Sequence, residues 1–403
     1  MKHLTIKKIG PLSVANLCLS NINLIIGPQS SGKSCILKIA SFCAWAEKRI
    51  ELNQNETVIL NKEAMYKHLI LFHNLQGYIN DDSYFEYETD TMFFSFLFKD
   101  NTSKFKWKEG RWHFKRAKIA YIVAERNVLS VIPNWYEMDL PKNSLRHFLK
   151  EWQNVRNSMN GKGKMRILNI GAYYGFDSQK QSDTIQIING KELSLQSASS
   201  GLQSLIPLYV IINYMCEFFF RTNMESIRDH DLNMKLLNSM KASHPLRDRI
   251  YIDKDGMDFV GFELSETLNN FRFYQYSDIY LEEPEENLFP ETQHHLVNWL
   301  ADLTNGKRKH SLFITTHSPY IMSAFNNLIQ AGDILEESPE KEAEVRRIIG
   351  GCRAIKYDDV AAFAIENGTV HSIKDDELRL ISPSELDTAS DKISSIFNQL
   401  LQL

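Results

Sequence analysis

The chain has 403 residues and a formal net charge of −4, with 46 Lys and Arg against 50 Asp and Glu. Hydrophobic residues make up 43% of it and charged residues 24%, values that are ordinary for a soluble globular protein and exclude collagen-like and wholly disordered chains. The balanced charge disfavours a globally basic nucleic-acid-binding protein, although it leaves room for a local basic surface.

Cysteine usage and hydropathy predict a cytoplasmic protein without a membrane partner. The five cysteines are scattered and never spaced as C-x-x-C, which disfavours a disulfide framework or a structural zinc site and fits a reducing compartment. The most apolar segment, residues 205–220, contains Asn213 and Glu217 and is shorter than the roughly 20 apolar residues that span a bilayer. It is therefore predicted to be a buried helix.

In chain order, the first half predicts strands, a helix and a β-meander. Residues 4–9 and 22–26 have the pattern of short strands, and residues 35–50 carry apolar side chains at helical spacing. The further predicted elements are a helix over 63–79, antiparallel strands over 84–121 with hairpin turns at 100–101 and 109–110, a helix over 143–157, a flexible loop over 160–164, short strands over 167–188 and a long helix over 200–220.

The second half predicts a parallel sheet. Residues 279–281 and 312–315 are apolar strands that flank a helix over 291–303, and this β-α-β order is typical of parallel α/β sheets. Residues 336–347 form a charged, solvated helix or loop, and residues 384–403 end in an amphipathic helix. The prediction is one α/β unit over 1–403 with a mixed or parallel core sheet, an antiparallel β lobe within 51–122, and a helical insertion over 221–277 that could dock a partner.

A phosphate-binding loop is the clearest motif. Residues 27–34 fit G-x-x-x-x-G-K-[ST] at every position, between a predicted strand and a predicted helix. Glycines at both ends let backbone N–H groups converge on phosphate oxygens, and the following helix adds partial positive charge. Lys33 would reach the β- and γ-phosphates, and Ser34 would ligate Mg²⁺. The predicted nucleotide-binding residues here are Gly27, Pro28, Gln29, Ser30, Ser31, Gly32, Lys33, Ser34 and Cys35.

Two later strand ends supply the remaining polar groups. The run 278–284 is an apolar strand followed by Glu282, which would hold the Mg²⁺ shell, and Glu283, which would act as general base. A helix-capping acidic turn is the alternative, and the phosphate loop makes it less favoured. The run 312–319 is a strand that ends at His317, whose neutral imidazole would hydrogen-bond the γ-phosphate or the attacking water.

A second anion-binding segment precedes the long apolar helix. Residues 197–203 combine hydroxyl groups, a glycine and a helix N-terminus. Taken without the other motifs, this segment is better explained by a simple helix cap.

The order of these motifs resembles the ABC-type ATPases of the SMC/RecF/OLD class, and within it the compact AAA-type ATPase subunits of anti-phage systems such as Septu and PARIS. The resemblance covers residues 1–50, 115–130, 190–220 and 275–400, and includes a Q-loop-like segment at 121–126. It implies an ATPase head in which Ser200 and Gly201, with Gln203 of the same motif, contact ATP bound to a second copy in a head-to-tail dimer.

The sequence departs from the family pattern at three positions. Glu282 stands where the wider ABC family usually has Asp, Phe289 where relatives often have His, and Glu125 where the Q-loop amide is expected. No Toprim or HNH nuclease pattern follows. Asp358-Asp359 and Asp375-Asp376 lack the Toprim spacing, and His294-His295 is predicted to lie on a helix surface.

A basic and aromatic segment over 104–116 is predicted to be a hairpin. Alternation would place Lys104, Lys106 and Lys108 on one face and Phe105 and Trp107 on the other. This arrangement fits a DNA-backbone contact with stacking aromatics, or a half-buried hairpin with solvated lysines, and the second interpretation is favoured.

These features predict an ATP- and Mg²⁺-dependent ATPase whose dimerisation regulates a partner effector, a nuclease or toxin, in anti-phage defence. The alternatives are a RecF-like ATPase acting directly on DNA, a scaffold that binds nucleotide without hydrolysing it and, more weakly, a transporter subunit.

Overall fold

The computed structural model describes residues 2–132, 134–159, 161, 163–222, 230–252, 258–260, 262–306, 308–382, 396 and 399. The strands are β1 (Lys2–Ile9), β2 (Leu12–Leu19), β3 (Ile22–Ile26), β4 (Tyr84–Glu88), β5 (Met92–Leu97), β6 (Thr102–Trp107), β7 (Ala117–Ile122), β8 (Met165–Ile167), β9 (Ala172–Asp177), β10 (Ser182–Gln186), β11 (Glu192–Ser194), β12 (Ile250–Ile252), β13 (Asp258–Val260), β14 (Tyr276–Glu282), β15 (Ser311–Thr316), β16 (Val360–Glu366), β17 (Thr369–Ser372), β18 (Lys374–Asp375) and β19 (Leu380–Ile381). The helices are α1 (Lys33–Asn53), α2 (Lys62–Met65), α3 (Val128–Val131), α4 (Ser144–Ser158), α5 (Ser200–Asn213), α6 (Phe219–Thr222), α7 (His230–Ser243), α8 (Phe262–Arg272), α9 (Pro290–Thr304), α10 (Pro319–Glu337) and α11 (Glu342–Ile348).

One large mixed sheet organises the described part of the chain. Its strand order is β6-β5-β4-β1-β2-β17-β16-β3-β15-β14-β7. The half that runs from β16 to β7 is parallel, whereas the half from β6 to β2 is antiparallel. The predicted α/β class with a mixed core sheet is therefore confirmed.

The parallel half is buried because its strands are continuous apolar runs rather than alternating ones. All five residues of β3 are buried, and β14 is buried from Ser277 to Glu282. Ile26 pairs with Thr316 of β15, and Glu282 pairs with Thr315, so the carboxyl ends of three strands meet at one edge of the sheet. The candidate site lies at this edge.

The predicted meander over 84–121 is only partly right. Strands β4 to β6 are antiparallel as predicted, and the turn at Asn101 is present with a φ of 51°. The predicted hairpin at 109–110 is wrong, because Glu109–His113 is a short helix and β7 pairs in parallel with β14 at the opposite end of the sheet. Trp112 and Phe114 lie between β6 and β7 and are buried in a small apolar cluster with residues of α7 and α8. Because of this burial, the chain leaves β6 instead of turning back to pair with it.

Strand β6 is the edge strand of the antiparallel half. Lys104 and Lys106 are exposed, whereas Phe105 and Trp107 are half-buried, so the predicted alternation is present. Lys108 forms an ion pair with Glu88 at 2.7 Å. This arrangement matches the favoured interpretation of a solvated edge with aromatics turned inward.

Several boundaries differ from the predictions. The helix predicted over 63–79 is α2 followed by a π-helical segment that ends at Leu71, and β2 and α10 were not predicted. Short strands do occupy the 167–188 region, as the four-stranded sheet β11-β10-β9-β8. The 221–277 segment holds α7, α8, β12 and β13, and its docking role stays a prediction. Residues 160 and 162, parts of that insertion and nearly all of the predicted tail helix lie outside the described residues.

The long apolar helix belongs to the protein core. The stretch Ser200–Arg221 is the one helix among the described residues that is long and apolar enough to span a membrane, but most of its apolar part is buried inside the fold. It consists of α5, a π-helical segment Tyr214–Phe218 and the start of α6. The prediction of a buried helix is confirmed.

Candidate active site

The loop between β3 and α1 has a backbone that requires its glycines. Gly32 has a φ of 107°, and a Cβ there would lie 2.8 Å from the side chain of Leu12. A Cβ at Gly27 would lie 3.0 Å from the hydroxyl of Ser31 and 3.3 Å from Ile365. Any larger residue would therefore force the loop away from the sheet, and the loop is held as a tight turn over the first turn of α1.

This loop lines a cavity of about 550 Å³. The predicted residues Gln29, Ser30, Ser31, Gly32, Lys33, Ser34 and Cys35 line it, together with Glu283 and His317 from the two neighbouring strand ends. The structure thus brings together groups that are more than 280 residues apart in the chain. Gly27 and Pro28 lie at the base of the loop, where their carbonyl groups bind Lys33.

Lys33, His317 and Glu283 form a continuous polar chain. The Lys33 Nζ donates to the carbonyl oxygens of Gly27 and Pro28 at 2.7 Å each, and lies 3.2 Å from His317 Nδ1. The His317 Nε2 lies 3.2 Å from Glu283 Oε1. An ammonium group only donates, so Nδ1 accepts from Lys33 and the proton of a neutral imidazole sits on Nε2, where it donates to Glu283.

Burial controls the charge of the lysine. It lowers the pKa of Lys33 to about 8, and the carboxylates of Glu283 and Glu285 oppose this shift. A bound anion would raise that pKa again, because an opposite charge favours the protonated form. The site is therefore suited to a ligand that brings negative charge.

Glu283 sits in a strained backbone conformation. Its φ is 41°, a left-handed value that is uncommon for residues other than glycine. Its N–H donates to the Thr315 carbonyl at 2.9 Å, and its own carbonyl accepts from Arg126 at 2.7 Å. Two bonds from different elements therefore hold the strained residue and aim its carboxylate at His317.

Arg126 is a positioning residue that the sequence did not reveal beyond its place in the Q-loop-like segment. Its side chain is fully buried. The guanidinium donates to the carbonyls of Glu282 at 3.0 Å, Glu283 at 2.7 Å and Ser204 of α5 at 3.1 Å, and it lies 3.5 Å from the Glu286 carboxylate. It therefore ties the end of β14 to helix α5, at whose start the Ser-Ser-Gly segment lies.

Glu282 is turned away from the cavity. It is 5% exposed, its Oε1 accepts from the hydroxyl of Tyr121 at 2.9 Å, and its Oε2 accepts from the backbone N–H of Ala124 at 3.1 Å. Burial raises the pKa of its carboxyl, and the nearby Lys38 opposes that shift. Each carboxylate oxygen has a second lone pair, so the group fits a water-mediated contact to Mg²⁺ better than a direct one.

Three other residues of the site were not assigned a role from the sequence. Glu285 accepts the backbone N–H of His317 at 2.6 Å and so fixes the start of the His317 turn. Pro11 and Tyr78 line the cavity from the β1–β2 turn and from the loop before β4. The sequence carries no signal for these two residues, because their place depends on how the antiparallel half packs beside the loop.

The Ser-Ser-Gly segment lies at a different surface. Ser199 and Ser200 are exposed at the N-terminus of α5, and with Gly201 they line a second cavity beside the loop 287–289. A Cβ at Gly201 would lie 2.9 Å from the carbonyl oxygen of Asn287, so glycine is needed there. The Gln203 amide donates to the carbonyls of Gln196 and Ala198, and these two bonds stabilise the turn before α5.

The structure also places Phe289 and Cys35, two further residues that the sequence analysis named. Phe289 is 73% exposed at the start of α9. Cys35 is buried, and burial raises its pKa to about 11, so it is an inert thiol.

Comparison with known proteins gives distant likenesses. No protein-family model matches the chain, and no curated protein matches it. The SMC head domain from Thermotoga maritima aligns with 92% of this chain and 97% of its own, at 10% identity and a TM-score of 0.39. The Smc head domain derived from Pyrococcus furiosus, bound to the C-terminal domain of ScpA, aligns with 99% and 100%, at 9% identity and a TM-score of 0.37. The recombination mediator RecF aligns with 92% and 97%, at 12% identity and a TM-score of 0.29. Likenesses this distant carry no activity over to this chain.

Proposed function

We propose that the chain is an ABC-type ATPase that converts ATP and water to ADP and phosphate. The observation that carries this proposal is the chain of contacts from Lys33 through His317 to Glu283, at the edge where a phosphate-binding loop opens a helix. A cation for phosphate oxygens and a carboxylate base, with an imidazole between them, can together promote phosphoryl transfer to water.

Each of these residues has a defined task. The N–H groups of residues 29–34 and the Lys33 ammonium bind the phosphate oxygens. The Glu283 carboxylate accepts a proton from the attacking water, while the Nε2–H of His317 keeps that carboxylate oriented. Ser34 and, through water, Glu282 would hold Mg²⁺, which neutralises phosphate charge when bound.

We further propose that ATP joins two copies of the chain and that this state regulates a partner effector. The Ser200 hydroxyl and the α5 N-terminus are exposed and do not line the phosphate-loop cavity of their own chain. A second copy placed head-to-tail would bring them to a γ-phosphate, as the family resemblance implies. A nuclease or toxin that binds only the joined form would then be switched by ATP, in a role such as anti-phage defence.

Size measurement tests the joined state. Glu283→Gln protein binds ATP but cannot activate water, so with MgATP it should run as a dimer or larger assembly by light scattering on a sizing column. The double variant Glu283→Gln/Ser200→Arg should remain at the size seen without ATP, because the added side chain fills the surface that meets the partner's phosphate. An unchanged size of the single variant with ATP would refute this mechanism.

Direct action on DNA is the second candidate function. It is favoured by one observation, the exposed Lys104 and Lys106 on an edge strand beside half-buried aromatics. It predicts DNA-stimulated turnover that weakens steeply with salt and is lost in Lys104→Glu/Lys106→Glu protein. Turnover that ignores DNA at low salt would exclude it.

A further inference from the structure

A third cavity, which shares no lining residue with the phosphate-loop cavity, lies along α1. Its volume is about 220 Å³, and it is bounded by α1, the π-helical segment after α2, β7 and α4. Its walls combine aromatic rings, among them Trp45, Phe72 and Tyr274, with the basic groups of Lys48, Lys118 and His147. We call it the aromatic pocket.

Lys48 reaches into the aromatic pocket without a counter-ion. Its Nζ lies 5.8 Å from the centre of the Tyr274 ring, and no carboxylate of the described residues lies within 4.0 Å of it. Burial, together with the neighbouring cations Lys118, Arg116 and Arg49, lowers the pKa of Lys48 to about 7. A cation kept in such surroundings is stabilised by an added negative charge.

The acidic groups near the pocket do not offset the charge of Lys48. Glu151 lies 3.5 Å from Lys118 and 4.0 Å from His147, and burial lowers the pKa of His147, so the Glu151 carboxylate mainly offsets Lys118. Asp278 acts on Lys48 only as the weakest influence on its pKa. The pocket therefore has an excess of basic groups.

A second buried group also lacks a partner. His73 lines the pocket and is 2% exposed, and its Nδ1 has no hydrogen-bond partner among the described residues. Burial lowers its pKa to about 3, so the ring is neutral and its nitrogens can accept or donate one bond each. An unsatisfied buried polar atom of this kind is destabilising, and a polar group on a ligand would relieve that cost.

We propose that the aromatic pocket binds a small aromatic anion, one ring that carries a carboxylate or phosphate group. The acidic group would pair with Lys48, and the ring would pack among Trp45, Phe72 and Tyr274. The volume is below the roughly 300–1,000 Å³ of pockets for drug-sized ligands, so it limits the ligand to about one ring with its substituent.

Fluorine NMR of 4-fluorobenzoate tests the proposal on the full chain. MgADP is kept saturating so that the phosphate loop is not available to the probe. The wild type should bind the probe saturably, and Lys48→Met should weaken binding at least tenfold, whereas Lys48→Arg should retain it. Lys67→Met, an exposed lysine on the segment that carries His68, should bind as the wild type does.

Two further probes separate the parts of the ligand. Uncharged 4-fluorobenzyl alcohol should bind at least tenfold more weakly than the benzoate, and inorganic phosphate should not displace the benzoate at equal concentration. Lys48→Met should melt no lower than the wild type, which shows that its loss of binding is not unfolding. Absence of saturable benzoate binding, equal binding by Lys48→Met, or equal competition by phosphate would overturn the proposal.

Discussion

Helix α1 carries two lysines, Lys33 and Lys48, in contrasting surroundings. At the first turn, the Lys33 ammonium has two carbonyl oxygens and an imidazole nitrogen within 3.2 Å. Four turns later, Lys48 has no hydrogen bond or ion pair with any described residue. Burial lowers the pKa of both, to about 8 and about 7.

The difference teaches that a lowered lysine pKa does not by itself identify a site. Lys33 contacts the carbonyl of Gly27 in the preceding loop and the ring of His317. These contacts therefore indicate that Lys33 belongs to the phosphate-loop cavity. Around Lys48 the described residues supply rings and further cations but no carboxylate within 4.0 Å, which is why we propose that a ligand supplies the negative charge. Geometry around the group decides between the two cases.

Lys33→Met should have the largest effect, a loss of ATP turnover. The loss of the ammonium removes the cation for the phosphates, and we expect ATP turnover to fall by at least about 100-fold. Phosphate release at saturating MgATP measures this. Lys67→Met makes the same substitution at an exposed site and should stay within twofold of the wild type. Equal turnover in Lys33→Met and wild type would contradict the site.

Arg126→Met tests the contacts that hold Glu283 in place beside His317. The change removes the buried donor to the carbonyls of Glu282, Glu283 and Ser204 and leaves the Glu286 carboxylate without its cation, which should cost about 3–5 kcal/mol of the free energy of unfolding. Chemical denaturation measures that cost, and turnover should fall as well because Glu283 loses its anchor. Arg49→Met, an exposed change on α1, is the control and should cost less than about 0.5 kcal/mol. A similar cost for both variants would show that Arg126 is not a structural anchor.

Lys48→Met should change how the free energy of unfolding depends on pH. The folded pKa of about 7 lies below the ordinary value of 10.5, so the folded state holds fewer protons than the unfolded state between these values. The stability contribution of Lys48 therefore falls as the pH decreases from about 10.5 to 7, and it stays low below pH 7.

The variant should consequently be more stable than the wild type by roughly 2 kcal/mol at pH 6, after allowance for solvent screening, with the gain shrinking towards pH 10. Thermal and urea unfolding at pH 6, 8 and 10 measure this trend. A gain that grows with pH would contradict the assigned burial of the ammonium.

Tyr78→Ala should give the smallest effect. Its ring is 46% exposed and lines the phosphate-loop cavity, so it can pack against a bound nucleotide without contacting the reacting atoms. We expect KM for ATP to rise by about fivefold with kcat nearly unchanged, in line with about 1 kcal/mol for one aromatic contact. Tyr66→Ala removes a tyrosine that is 53% exposed elsewhere on the surface and should alter neither constant. A fall in kcat alone would contradict the assigned role.

Much of the parallel half could be predicted because its signals are local. The apolar runs of β3, β14 and β15 and the glycine spacing of residues 27–32 depend on neighbours in the chain, and the structure places them as expected. The position of β7 could not be predicted. Its sequence continues the aromatic meander, but burial of Trp112 and Phe114 beneath α7 and α8 takes the chain to the other end of the sheet.

By itself, the sequence determined the phosphate loop, the acidic strand end at Glu283 and the histidine at 317, because backbone conformation and strand burial there follow from contiguous residue types. Only the tertiary structure decided that Arg126 holds Glu283, that Glu282 faces Tyr121, and that Lys48 enters a ring-lined pocket. These contacts join residues far apart in the chain, and they depend on strand register and helix packing, which no local pattern encodes.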